Sequence, residues 1–100
     1  MAIVQRSVII VHRQGLHARP AALFVQRAKR FASRVKVKKG RKVVDGKSIM
    51  GLLTLAAQPG SRIVVVAEGT DAAEAVEQLC AIVTQPLSES STETSMESSR

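Results

Sequence analysis

One hundred residues suffice for one domain with a modest core, and the 45% apolar share holds no Trp, no Tyr and only two Phe. No stretch of the 18 or more apolar residues needed to cross a membrane is present, the start Met1–Arg6 lacks the pattern of a signal peptide, and the lone Cys80 excludes an intrachain disulfide, as suits the cytoplasm. The net charge of +7 is uneven: residues 1–84 carry +9 and residues 85–100 carry −2, so the basic part favours anionic partners, either acidic protein faces or nucleic acid.

The alternation of Val4, Val8 and Ile10 with Gln5, Ser7 and Ile9 predicts a first strand over residues 3–11, with Arg6 interrupting its apolar side. His12-Arg13-Gln14 then leads to Gly15, and His12 reads as a solvated side chain. Ala21, Phe24, Val25, Ala28 and Ala32 recur at the spacing of one helix face, which predicts a helix from Ala18 to about Phe31. Pro20 falls in its first turn, where a missing N–H costs nothing. Arg34–Lys38 alternates as a strand with Val35 and Val37 inward; Lys39-Gly40 turns the chain, and Arg41–Val44 returns as a charged edge strand.

Ser48 is a good N-cap for a short helix over Ile49–Leu53. Gln58-Pro59-Gly60 reads as a turn, and the run Ile63–Val66 within Arg62–Ala67 reads as an interior strand. Asp71 and Glu74 have capping-box spacing before a last helix with Ala72, Ala75, Val76, Leu79 and Val83 on its apolar face; Cys80 is a small core residue in that helix. From Gln85 the Ser- and Glu-rich sequence loses apolar periodicity and reads as a disordered tail, giving a domain over 1–84 and a tail over 85–100. The order β-α-β-β-α-β-α implies an α+β two-layer fold, a sheet with helices on one face.

The candidate chemistry lies in Gly15-Leu16-His17-Ala18-Arg19-Pro20-Ala21-Ala22. His17 stands just before a helix start, where unpaired N–H groups and the helix dipole form a positive end. That end disfavours a protonated ring, leaves a nucleophilic nitrogen, and suits an incoming phosphoryl group. Arg19 can reach the same oxygens with its forked guanidinium.

This octapeptide resembles the active-site signature of HPr, the histidine-containing phosphocarrier family of the bacterial phosphoenolpyruvate:sugar phosphotransferase system. A second stretch, Gly46-Lys47-Ser48-Ile49-Met50-Gly51-Leu52-Leu53, matches the family as well, and the likeness runs from about Ala2 to Val83. The resemblance implies an open-faced β-sandwich with a four-stranded antiparallel sheet in the order 1-4-2-3, covered on one face by three helices. It implies His17 as the residue phosphorylated on Nδ1 by enzyme I and passing the group to A components of enzymes II, Arg19 as the residue contacting the phosphoryl group, and Ser48 as the target of a regulatory kinase. Such a protein is a phosphoryl carrier and not a stand-alone enzyme.

Leu16, Ile49, Met50, Leu52 and Leu53 are candidates for an apolar docking patch, with Ile49 and Met50 expected to be exposed because a six-residue helix cannot bury every one. The expected partners are enzyme I, A components of enzymes II, and a serine kinase or phosphorylase; a monomer is expected, without metal, cofactor, nucleic acid or membrane span. Two alternatives stand beside this reading. One is a regulatory paralogue of the nitrogen-related branch, with the same histidine chemistry. The other is a small basic nucleic-acid-binding domain, favoured by the hairpin Arg34–Lys42 and opposed by the lack of Tyr and Trp for base stacking.

Overall fold

The computed structural model describes residues 2–84, so the tail expected over 85–100 lies outside the described residues. The chain order is β1 (Ala2–Ile9), α1 (Ala18–Ala28), β2 (Arg34–Lys39), β3 (Lys42–Asp45), α2 (Ile49–Thr54), β4 (Arg62–Gly69) and α3 (Ala72–Thr84). The four strands form one antiparallel sheet in the order β1-β4-β2-β3. The β-α-β-β-α-β-α topology is the one the sequence pattern predicts, and the strand order is the one the family resemblance implies. No helix among the described residues is long and apolar enough to cross a membrane.

β4 is interior because its apolar run can be buried on one face and half-buried on the other, with the charged Arg62 and Glu68 exposed at its ends. Ile63, Val65 and Ala67 are buried under the helices, while Val64 and Val66 are half-buried on the other face. Its pairing continues past the apolar run to Glu68 and Gly69, because both Ala2 of β1 and Arg34 of β2 still lie opposite. The core combines these residues with Val35 and Val37 of β2, Ala21, Phe24, Val25 and Ala28 of α1, Leu52 of α2, and Ala75, Val76, Leu79 and Val83 of α3. Each buried Val, Leu or Phe contributes about 1.5–3 kcal/mol, so the shortage of aromatics is met by many medium-sized side chains.

Four expectations need correction. The first strand ends at Ile9, not at residue 11, because the Val11 N–H leaves the sheet for the Val83 carbonyl (3.4 Å) at the end of α3. The first helix ends at Ala28, not near Phe31. There the chain tightens into bonds from the Arg30 N–H to the Arg27 carbonyl and from the Phe31 N–H to the Ala28 carbonyl, both 3.1 Å.

Asp71 does not form a capping box with Glu74. Its carboxylate instead accepts the N–H groups of Ala32 (2.9 Å) and Ser33 (3.0 Å) and the Ser33 hydroxyl, which fastens the α1–β2 loop to the start of α3. Glu74 is bonded to Gln78 of its own helix (3.0 Å).

His12 is buried, not solvated. Its Nε2 lies 3.0 Å from the Ile82 carbonyl, one of the terminal α3 carbonyls that lack a helical partner. The bond spans 70 residues of sequence, which is why nothing near His12 signals it.

Candidate phosphoryl-acceptor site

The site is built by the loop between β1 and α1. Gly15 takes φ +73°, and its Cα lies so close to the 57–58 backbone that a Cβ would stand 2.2 Å from the Ala57 oxygen. Only glycine allows this approach. The Leu16 N–H then donates to that same Ala57 carbonyl (2.9 Å), and the Leu16 side chain is buried in the core. The loop is further closed by the Gly15 N–H donating to the His12 carbonyl (2.9 Å) and the His17 N–H to the Gly15 carbonyl (3.0 Å). His17 therefore emerges from a loop held by an apolar anchor and a bond to the segment after α2.

His17 is the N-cap of α1, with extended backbone (φ −96°, ψ −168°), and its side chain makes no capping bond. The half-buried ring is not committed to its own helix. The first helical bond runs from the Ala21 N–H to the His17 carbonyl (3.0 Å). Ala18 and Arg19 thus keep N–H groups without a helical acceptor, Pro20 brings none, and no acidic side chain stands in this turn. The arrangement offers positive dipole and free donors beside a ring nitrogen, with the exposed Arg19 on the same turn.

α1 packs against α2, which carries the second candidate residue. Ser48 is the N-cap of α2: its Oγ accepts the Gly51 N–H at 3.0 Å, as its residue type led us to expect. The adjacent Lys47 is turned away from it, with Nζ donating to the Phe31 carbonyl (2.9 Å).

The five apolar candidates divide. Ile49 and Met50 are exposed, at 41% and 69%, and Leu53 is half-buried. Leu16 and Leu52 are buried and offer no docking surface, because one anchors the His17 loop and the other is the side of α2 that faces the core. Just beyond α2, Ala56 holds φ 51°, a left-handed conformation rare for a residue with a Cβ. It immediately precedes Ala57, whose carbonyl holds Leu16, so the turn that supports the His17 loop is itself strained. Neither Ala56 nor Ala57 carries a sequence signal, since neither falls in an apolar periodicity and alanine is not a turn-forming residue. Among the described residues no cluster of His, Cys, Asp and Glu could hold a metal ion.

Residues 4–85 match the family model described as the PTS HPr component phosphorylation site. The chain is 49% identical over 81 residues to the HPr-like protein Crh of Bacillus subtilis, covering 81% of this chain and 95% of Crh. It is similar to the crystal structure of a phosphocarrier protein HPr from Bacillus anthracis, with a TM-score of 0.80 at 49% identity over 84% of this chain and all of that one. It is also similar to a crystal structure of Bacillus subtilis Crh, a domain-swapped dimer, with a TM-score of 0.66 at 50% identity over 80% of this chain and 92% of Crh.

Proposed function

The chain belongs to the HPr family of phosphocarriers of the phosphotransferase system, and from that premise we propose that His17 is the acceptor. A ring nitrogen of His17 attacks the phosphorus held by enzyme I; the new N–P bond forms as the donor's bond to phosphorus breaks, with phosphoenolpyruvate the ultimate source. The reverse exchange hands the group to an A component of an enzyme II. The observation that carries this reading is the uncapped His17 ring at the start of α1. The free N–H groups and Arg19 stabilise the phosphoryl oxygens by charge-assisted bonds while leaving them at the surface, from which the group must depart. The exposed Ile49 and Met50 and the half-buried Leu53 supply the apolar part of the partner surface. A carrier serving these partners works in the cytoplasm, which is the location this reading supports.

The test is incubation with phosphoenolpyruvate and enzyme I, followed by mass mapping. One acid-labile, base-stable phosphate on His17 is expected, and His17→Ala abolishes it. Phosphate on His12, the other histidine of the chain, refutes the assignment.

A regulatory role through Ser48 is the second reading, favoured by the similarity to Crh. A phosphate on Ser48 brings about two negative charges next to Ile49 and Met50, which opposes docking of an acidic, apolar partner face. Ser48→Asp should fold and accept phosphoryl groups slowly, while Ser48→Ala accepts them at the normal rate; equal rates remove this reading. The protein is read as a monomer, which light scattering checks against a dimer of the kind formed by Crh.

A further inference from the structure

The face of the sheet away from the helices is exposed or half-buried along its length, and it is basic. Ile63, Val65 and Ala67 of β4 lie under the helices, so by register the other face carries Arg62, Val64, Val66 and Glu68. β2 adds Arg34, Lys36 and Lys38, and β3 adds Val43 and Asp45. Four cations thus stand against two carboxylates, and exposed Arg41 extends the charge at the hairpin turn. Glu68 lies opposite Arg34 and Asp45 opposite Lys36. Lys38 lies between Val64 and Val43, and Arg62 beside Ile9, with no carboxylate opposite either. A surface of this sign draws an anionic partner.

The placing of apolar and charged residues across the face decides the class of that partner. A protein interface is apolar at its centre and polar at its rim, with charged residues depleted at the centre. Here the order is reversed. The most exposed apolar side chains of the face stand on the outer strands: Ile3 (64%) and Ile9 (42%) on β1, and Val43 (49%) on β3. Those strands are three strand spacings, about 14 Å, apart. β4 and β2 between them carry all four cations, with Val64 and Val66 only half-buried among them. A folded acidic partner would have to bury those cations at its centre and supply a placed carboxylate to each. A nucleic acid finds no aromatic ring to stack on, because both Phe residues are in the core. A bilayer of anionic lipids needs neither: its headgroups move laterally to the cations presented, and side chains at the rim need only dip into the interface.

We propose that this open face binds the surface of an anionic phospholipid bilayer, with Lys36, Lys38 and Arg62 on the headgroups and Ile3, Ile9 and Val43 at the boundary with the acyl chains. Each cation held at such a surface strengthens binding about fivefold. Three short apolar side chains are too few for stable anchoring, so the association is reversible and weakened by salt. The face lies on the opposite side of the sheet from α1 and α2, which leaves Arg19, Ile49 and Met50 open to protein partners. Lipid binding of this kind is independent of which residue accepts the phosphoryl group.

The experiment floats the full chain with vesicles of phosphatidylglycerol and phosphatidylcholine, and with vesicles of phosphatidylcholine alone, in about 50 mM salt. Binding to the anionic vesicles only, lost in about 0.5 M salt, is expected. Lys36→Gln with Lys38→Gln and Arg62→Gln should weaken it about a hundredfold. Arg13→Gln with Lys29→Gln and Arg30→Gln, an equal change of charge at exposed positions outside this face, should weaken it by less than about tenfold. Thermal unfolding checks that both triple variants are folded. With a nitroxide on the lipid headgroups, amide signals of Lys36, Val43 and Val64 should broaden most. Failure to bind anionic vesicles, equal losses in the two triple variants, or broadening centred on His17 and Arg19 overturns the proposal. Tighter binding of a DNA duplex or of polyglutamate through the same three cations gives the face to a nucleic acid or an acidic chain and overturns it equally.

Discussion

Gly15→Ala strikes the turn that presents His17, and its cost can be worked out against an internal control. The new Cβ would stand 2.2 Å from the Ala57 oxygen, at a residue held at φ +73°. Gly40 has a similar backbone, φ +60°, but nothing within 4 Å of the Cβ position. Both substitutions place a Cβ in left-handed backbone, at about 1–2 kcal/mol, and both lower the entropy of the unfolded chain alike. Only Gly15→Ala also pushes on the carbonyl that accepts the Leu16 N–H, losing about 0.5–1.5 kcal/mol of hydrogen bond. Local overpacking adds about 1–3 kcal/mol. The excess of Gly15→Ala over Gly40→Ala should therefore be about 2–4 kcal/mol, or about 10–25 °C in Tm at the usual scaling for a domain of this size. Urea and thermal unfolding of both variants measure the difference. Phosphorylation by enzyme I, measured where both are folded, should be slow in Gly15→Ala and normal in Gly40→Ala. If the two variants lose equal stability and react equally fast, the close approach of Gly15 to Ala57 neither supports the fold nor positions His17.

Arg19→Ala should slow phosphoryl transfer by about one to two decades, or about 1.5–3 kcal/mol, with little effect on folding because the side chain is exposed; unchanged rates in the folded variant refute its role. The Ser33 hydroxyl, followed by the Ala32 N–H, holds the Asp71 carboxyl below its ordinary 3.8. That contribution is fully present above the ordinary carboxylate value of 3.8 and is lost as pH falls below it through the lowered folded value, so the stability gap between wild type and Asp71→Asn should hold at neutral pH and close only on acidification below 3.8. A gap that stays constant over this range in urea titrations contradicts the linkage. Burial pushes the Cys80 thiol up, only partly opposed by the Arg6 charge, so a thiol reagent at pH 8 should label it only after urea unfolding; rapid labelling of the native protein refutes its burial.

The periodicities of α1, β2 and α3 and the apolar run of β4 are local properties, and each element formed within a few residues of where its own side chains placed it. The Gly15–Ala22 stretch was legible for the same reason: a turn glycine, a histidine, an arginine and a first-turn proline act within one strand-to-helix junction. The exposure of Ile49 and Met50 followed from the shortness of α2 alone. What the sequence could not show was any bond whose two ends lie far apart along the chain. His12 reads as surface until α3 brings the Ile82 carbonyl to it. Asp71 reads as a helix cap until the loop between α1 and β2 offers the N–H groups of Ala32 and Ser33. Leu16 and Leu52 read as docking residues until the packing of α1 and α2 over the sheet buries them. A backbone donor or carbonyl is present at nearly every residue and carries no side-chain signature, so only the tertiary structure decides which ones a polar side chain meets.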